Sequence, residues 1–178
     1  HKDPNFTKDD GFITDGNIGL QYTHLYAPRK LREVIYSVDQ SGRILYARPD
    51  LRRVNNSEIP SEFHSPIIGW AYDGNPIYGP YGYLTNQGGT IAQMKSGYSL
   101  DLKEGRPPIS IYPEGFFIED YTYRDVSDNT VLDENNGRFC VTPEFPNGTY
   151  AYFATIDNSA AASSGPFDGY KEPQFPYL

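Results

Sequence analysis

The segment Ser65–Tyr83 constrains the fold more than any other part of the chain. An apolar run, Ile67–Tyr72, leads into the turn-forming residues Asp73-Gly-Asn-Pro76, and a second apolar run starts at Ile77 and stops before Gly79-Pro80. Asp, Gly, Asn and Pro each favour a backbone conformation found in tight turns. The pattern therefore predicts a β-hairpin with short strands.

The rest of the chain repeats this alternation of short apolar runs and turn residues. Asn136-Gly137 and Asn147-Gly148 predict turns on either side of the strand-like segment Arg138–Thr142, and a further strand is predicted over Thr149–Ile156. The 17 glycines and 15 prolines disfavour long helices. We therefore expect a mainly β, antiparallel, sandwich-like domain that is built of hairpins and has little helix.

The N-terminal third is less regular. Residues 1–17 are polar and are interpreted as an arm, residues 32–47 are predicted to form a hairpin with its loop at 39–42, and residues 50–58 are interpreted as a helical turn or a loop. We assign residues 1–64 to an arm and hairpin region and residues 65–178 to the main β domain. Both are expected to form one compact unit, cut from a longer polypeptide.

Charge and hydropathy exclude two classes of partner. The formal net charge is -8, and the 15 basic residues form no long run, so the electrostatic footprint of a nucleic-acid-binding protein is missing. Apolar stretches extend over only a few residues, too short to cross a bilayer. A single cysteine, Cys140, excludes an internal disulfide.

Aromatic side chains are the candidate contact residues, since the chain has 16 tyrosines. The predicted hairpin and its continuation carry five of the candidate rings: Trp70, Tyr72, Tyr78, Tyr81 and Tyr83. One interpretation is that these rings pack in the core. The alternative is an aromatic platform that stacks on sugar rings or on a partner chain.

Little in the sequence points to catalysis. His1, His24 and His64 do not have the spacing of metal ligands, and Cys140 lies within a predicted strand. Asp73, Asp133 and Glu134 are candidates for turn-capping acids, with acid catalysis or calcium ligation as the alternative. We expect no catalytic residue, metal or cofactor.

Three motifs resemble the signature of the YHYH domain family. The first is Gly69-Trp-Ala-Tyr-Asp73-Gly-Asn-Pro-Ile-Tyr-Gly-Pro80, the second is Leu132-Asp-Glu-Asn-Asn136-Gly, and the third is the strand Tyr150-Ala-Tyr-Phe153, in which both histidines of the family motif are replaced. The resemblance spans about Ser65–Tyr177. It marks the following as structural turn and motif residues: Asp73, Gly74, Asn75, Pro76, Asp133, Asn136, Gly137, Tyr150 and Tyr152.

This form of the strand resembles modules of large structural proteins from tailed bacteriophages, especially marine cyanobacterial phages. The resemblance implies a virion module of a tail, baseplate or fibre that contacts other copies or other virion proteins as a homo-oligomer. The alternative is a carbohydrate- or receptor-binding module on a particle or cell surface, or a secreted one, and a glycan-degrading enzyme comes third. Strand alternation places Tyr150 and Tyr152 on one face and Ala151 and Phe153 on the other.

Overall fold

A computed structural model describes residues 11–16, 19–24, 28–33, 49–158, 161–162 and 169–176. The described residues contain one α-helix, one 3-10 helix at Ile118–Asp120 and twelve strands. The strands are β1 (Gly11–Gly16), β2 (Gly19–His24), β3 (Arg52–Val54), β4 (Ser57–Ile59), β5 (Ile67–Trp70), β6 (Pro76–Tyr78), β7 (Tyr81–Thr85), β8 (Gly88–Gln93), β9 (Tyr98–Leu100), β10 (Tyr121–Tyr123), β11 (Gly137–Cys140) and β12 (Thr149–Phe153); the helix is α1 (Arg29–Glu33).

A four-stranded sheet with the order β11-β12-β6-β5 forms the centre of the domain. The predicted hairpin is confirmed, because β5 and β6 pair antiparallel through the turn that contains Asp73 and Gly74. β11 and β12 also pair antiparallel, whereas β12 lies parallel to β6, with Tyr152 opposite Ile77. The last strand among the described residues therefore lies in the middle of the sheet.

The core lies between this sheet and the β7–β8 ribbon. A Cβ atom added at Gly82 in β7 would lie 2.9 Å from Cε1 of Phe153 in β12, so the two layers are in close contact. The buried cluster between them consists of Tyr78, Met94, Leu132, Cys140, Ala151 and Phe153. This packing and the scarcity of helix confirm the expected mainly β, sandwich-like class.

The interpretation of residues 50–58 as a helical turn or loop is wrong. β3 and β4 form an antiparallel hairpin with Val54 opposite Ser57. The two turn residues, Asn55 and Asn56, have φ angles of 50° and 60°. Two consecutive residues in the left-handed region define the two-residue turn that matches strand twist, and asparagine tolerates this region.

Two further predictions in the N-terminal part are corrected. Arg32 and Glu33, the predicted start of a strand, end the helix α1, which follows Pro28 and consists of residues that favour helix. The remainder of that predicted hairpin, residues 34–47, lies outside the described residues. In the predicted arm, residues 11–16 form β1, which pairs antiparallel with β2, with Gly16 opposite Gly19.

Candidate functional site

The structure separates the five candidate rings into two groups. Tyr78 and Tyr81 are buried, and Tyr83 is half-buried beside His64, with ring centroids 5.1 Å apart. Trp70, by contrast, is 59% exposed and Tyr72 is fully exposed. The hairpin therefore contributes rings to the core at one end and presents two rings to solvent at its tip.

Tyr78 is tied into the core by its hydroxyl group. The hydroxyl hydrogen-bonds to Oγ1 of Thr142 at 2.9 Å and to Oε2 of Glu144 at 2.8 Å, and the ring stacks on Phe153 at 5.7 Å. Burial raises the pKa of the phenol, so the group remains neutral. Tyr78 is thus a packing residue with a satisfied polar end.

The two tyrosines of β12 lie on the opposite face of the sheet, and each reaches a turn aspartate. The Tyr150 hydroxyl donates to Oδ2 of Asp133 at 2.7 Å, and the Tyr152 hydroxyl donates to Oδ2 of Asp73 at 2.7 Å. The two rings meet edge to face at 5.1 Å. We call these four residues the Tyr–Asp face.

Both aspartates also hold their own turns. Oδ1 of Asp73 accepts from the Asn75 amide at 3.0 Å. Oδ1 of Asp133 accepts from the amides of Asn135 at 2.9 Å and Gly137 at 3.0 Å. These contacts are those of turn-capping side chains.

The buried residue Asn136 completes this unit. It has a φ angle of 58°, and its Nδ2 group donates to the carbonyl oxygen of Phe153 at 2.8 Å. Asn136 thereby connects the second motif to β12. The three sequence motifs thus form one hydrogen-bonded structure, with Gly74 at a φ of 84° and Pro76 buried in the first turn.

The hydrogen bonds on this face favour a charged Asp73 carboxylate and neutral Tyr150 and Tyr152 phenols. Hydrogen bonds from Asn75 and Tyr152 lower the pKa of Asp73. The Asp73 hydrogen bond raises the pKa of Tyr152, and burial together with the Asp133 hydrogen bond raises that of Tyr150. A general acid needs a raised carboxyl pKa, which is the opposite of what Asp73 has.

The positions of the two missing histidines face the core. Ala151 and Phe153 are completely buried. The imidazole of His64 lies close to this strand, with its ring centroid 6.1 Å from that of Phe153. Histidine side chains at positions 151 and 153 of this strand would therefore point into the interior, and the one at position 153 would lie near His64.

The sequence shows only that His64 lacks the spacing of a metal ligand, and no local pattern predicts its buried environment. Its Nδ1 atom lies 2.7 Å from the carbonyl oxygen of Ser65, while its buried Nε2 has no hydrogen-bond partner among the described residues. Burial lowers the pKa of His64 to about 4. The imidazole is therefore neutral at physiological pH.

A buried ion cluster was also missed. The guanidinium of Arg32 bonds Oδ2 of Asp50 at 3.1 Å and Oε1 of Glu58 at 2.8 Å, and all three side chains are buried. Oε2 of Glu58 accepts from the Lys171 amide at 2.8 Å. The cluster connects segments far apart in sequence, and no local sequence pattern reveals it.

The remaining candidate groups show no assembled metal or thiol chemistry within the described part of the chain. Burial raises the pKa of Cys140, which disfavours the reactive thiolate. No group of three or more His, Cys, Asp or Glu side chains is placed to hold a metal ion in the described segments. Among these same residues, no helix is long and apolar enough to cross a membrane.

Fold and site together define a class: a mainly β domain whose central sheet carries two tyrosines locked to turn aspartates. The family described as YHYH protein matches residues 21–164, and the chain belongs to this family. The match begins well before Ser65, so it includes the β3–β4 hairpin and the buried ion cluster residues Arg32, Asp50 and Glu58 as well as the three motifs. No curated protein and no solved structure matches the chain.

Proposed function

We propose that this domain is a structural module of a phage virion, in the tail, baseplate or fibre, that acts by protein–protein assembly. The observation that carries the proposal is an apolar surface on the segment between β9 and β10, which we call the apolar loop (residues 101–120). Its large exposed side chains are Leu102, Ile109, Ile111, Tyr112, Phe116 and Ile118. Exposed apolar patches on a folded domain favour association with another protein surface.

The apolar loop is held in one conformation by Arg106. Its guanidinium bonds both carboxylate oxygens of Asp120, at 2.6 and 2.9 Å, and donates to the carbonyl oxygens of Tyr112 at 3.0 Å and Pro113 at 2.6 Å. A loop that is already ordered loses little conformational freedom on binding. This supports a docking surface that is formed before the partner arrives.

The proposed setting, a virion, rests on the sequence of β12. Its Tyr-Ala-Tyr-Phe form resembles that of phage structural modules, and buried Ala151 and Phe153 give this form a packing role in the sheet. Like copies or other virion proteins are the proposed partners, and a homo-oligomer is the proposed state.

Mass spectrometry of digested, purified phage particles tests the proposal. We expect peptides from residues 54–95 in amounts comparable with those of other structural proteins of the particle. Their absence from particles that contain all the other structural proteins would contradict the virion role.

Analytical ultracentrifugation tests the docking surface. The expected result is an oligomer for the unmodified domain and a monomer for the variant carrying Ile111→Ser, Phe116→Ser and Ile118→Ser. Val126→Ser, which alters an exposed apolar residue outside the apolar loop, serves as the control and is expected to leave the oligomer intact. A variant that sediments like the control would show that the loop is not the docking surface.

A second candidate function, binding of a carbohydrate or receptor, is favoured by the exposed pair Trp70 and Tyr72 at the hairpin tip. Such rings combine an apolar face with a polar group and suit sugar rings or a partner surface. Loss of receptor or host-cell binding in Trp70→Ala, with assembly preserved, would support this candidate over the first.

A further inference from the structure

A polar cleft of about 330 Å³ lies along the free edge of β11. Its lining residues come from four separate segments: Asn86, Asn129, Asp133, Arg138 and Phe139. The volume is at the lower end of the range for small-molecule sites. We propose that this cleft binds a neutral sugar residue, a function independent of the assembly role and of the Trp70–Tyr72 tip.

The charged groups of the cleft are fixed and balance each other. Arg138 donates to the carbonyl oxygens of Asn129, at 2.7 Å, and Tyr83, while Asp133 is held by its turn amides and by Tyr150. One guanidinium and one carboxylate give the lining no net formal charge. A neutral ligand therefore fits better than a phosphate or a metal cation.

The two amide side chains are available to a ligand. Asn86 and Asn129 make main-chain hydrogen bonds, but neither side chain bonds another group within the described segments. An amide offers two donors and an acceptor that accepts two bonds, which suits hydroxyl groups that both donate and accept. Neighbouring hydroxyls on a sugar ring present this mixed pattern.

Main-chain groups of β11 extend the polar lining. The Gly137 carbonyl accepts from the Asp133 amide, and the Val141 amide donates to the Asn86 carbonyl, so both residues point their main-chain groups away from β12. Alternate residues of a strand direct these groups to the same side. Phe139, between them, therefore presents its N–H and C=O at the cleft edge.

The Phe139 side chain supplies an apolar surface beside these polar groups. Its ring is 63% exposed, and a Cβ atom at Gly148 would approach the ring to 2.7 Å, so the glycine provides the space in which the ring is seated. The C–H face of a sugar packs against such a ring while its hydroxyls bond the amides. Ring and amides together favour a saccharide over a purely polar ion.

The test is NMR titration of the folded domain with methyl glycosides of glucose, galactose, rhamnose and N-acetylglucosamine as probes. With at least one probe we expect shifts of the Asn86 and Asn129 side-chain amide signals. Replacing both with alanine is expected to raise Kd by about tenfold or more, the loss of one or two hydrogen bonds. Both residues are exposed, so this variant retains the fold.

Two further variants show whether the sugar binds in the polar cleft or at the Trp70–Tyr72 hairpin tip. Phe139→Ser is expected to weaken binding, whereas Trp70→Ala is expected to leave Kd unchanged. Loss of binding in Trp70→Ala alone would place the sugar at the hairpin tip and overturn the proposal. The absence of shifts at both amide signals with every probe would also overturn it.

Discussion

The hydroxyl group of Tyr152 donates a 2.7 Å hydrogen bond to Oδ2 of Asp73, a residue 79 positions earlier in the chain. Tyr150 makes the equivalent bond to Asp133. The aspartates cap turns and the tyrosines lie on the central strand, so each pair connects a turn to the sheet. The residues of the family signature on this face therefore have a structural explanation.

Tyr150→Phe is expected to lower the free energy of unfolding by about 1 kcal/mol, because a hydrogen bond to a carboxylate is lost on a half-buried face. Urea denaturation measures the change. Tyr72→Phe, at a fully exposed ring, is the control and is expected to have no effect. A double-mutant cycle with Asp133→Asn should show coupling, and additive effects would contradict the proposed pairing.

Acid is expected to destabilise the domain through His64. Burial lowers its pKa to about 4, so the unfolded chain, in which histidine titrates near 6.5, binds more protons between these two values. The contribution of neutral His64 to the free energy of unfolding is complete above a pH of about 6.5. As the pH falls towards about 4, this contribution is lost, which lowers the free energy of unfolding by roughly 3 kcal/mol at most.

Unfolding measured against pH in the unmodified domain and in His64→Asn checks this prediction. Asparagine retains a donor for the Ser65 carbonyl but does not titrate. The difference between the two stability curves should therefore change within this pH window. Parallel curves would show that His64 is not responsible.

Gly82→Ala is expected to destabilise the domain by about 1–3 kcal/mol through overpacking, because the new methyl group would lie 2.9 Å from the buried Phe153 ring. Gly69→Ala is the matched control, since its Cβ would meet Ile77 at an ordinary 3.6 Å. Thermal unfolding of both variants tests the layer packing. Equal melting temperatures would contradict it.

Arg32→Leu is expected to lower the free energy of unfolding by about 3–5 kcal/mol, because Asp50 and Glu58 would then be buried without a cation. Arg52→Leu removes an exposed pair with Glu62 and should cost less than about 1 kcal/mol. Chemical denaturation compares the two. Similar costs would mean that the buried cluster is not a major anchor of α1.

Local turn chemistry explains which strands the sequence could predict. The Asp73–Pro76 turn contains Gly74 at a positive φ angle, and the hairpin around it was predicted correctly. The Asn55-Asn56 turn has the same left-handed backbone without glycine, so its residues are a weaker turn signal and the hairpin was missed. Alternation along β12 was also predicted correctly, and contacts with distant residues decided that Ala151 and Phe153 face the core.

Contacts between residues that are far apart in the chain could not be predicted from the sequence. The parallel pairing of Tyr152 with Ile77 leaves no periodic signal, because each strand has the same alternation whichever neighbour it pairs with. The buried cluster of Arg32, Asp50 and Glu58 joins separate segments. The residues of the polar cleft are likewise brought together only by the fold.

The central position of β12 sets the order in which the sheet can be completed during synthesis. The β5–β6 hairpin is made early and β11 much later, yet the two share no edge until β12 is inserted between them. A nascent chain that has not reached Thr149 therefore carries unpaired strand edges, which are sites of aggregation. The four-stranded sheet can form completely only after β12 has been synthesised.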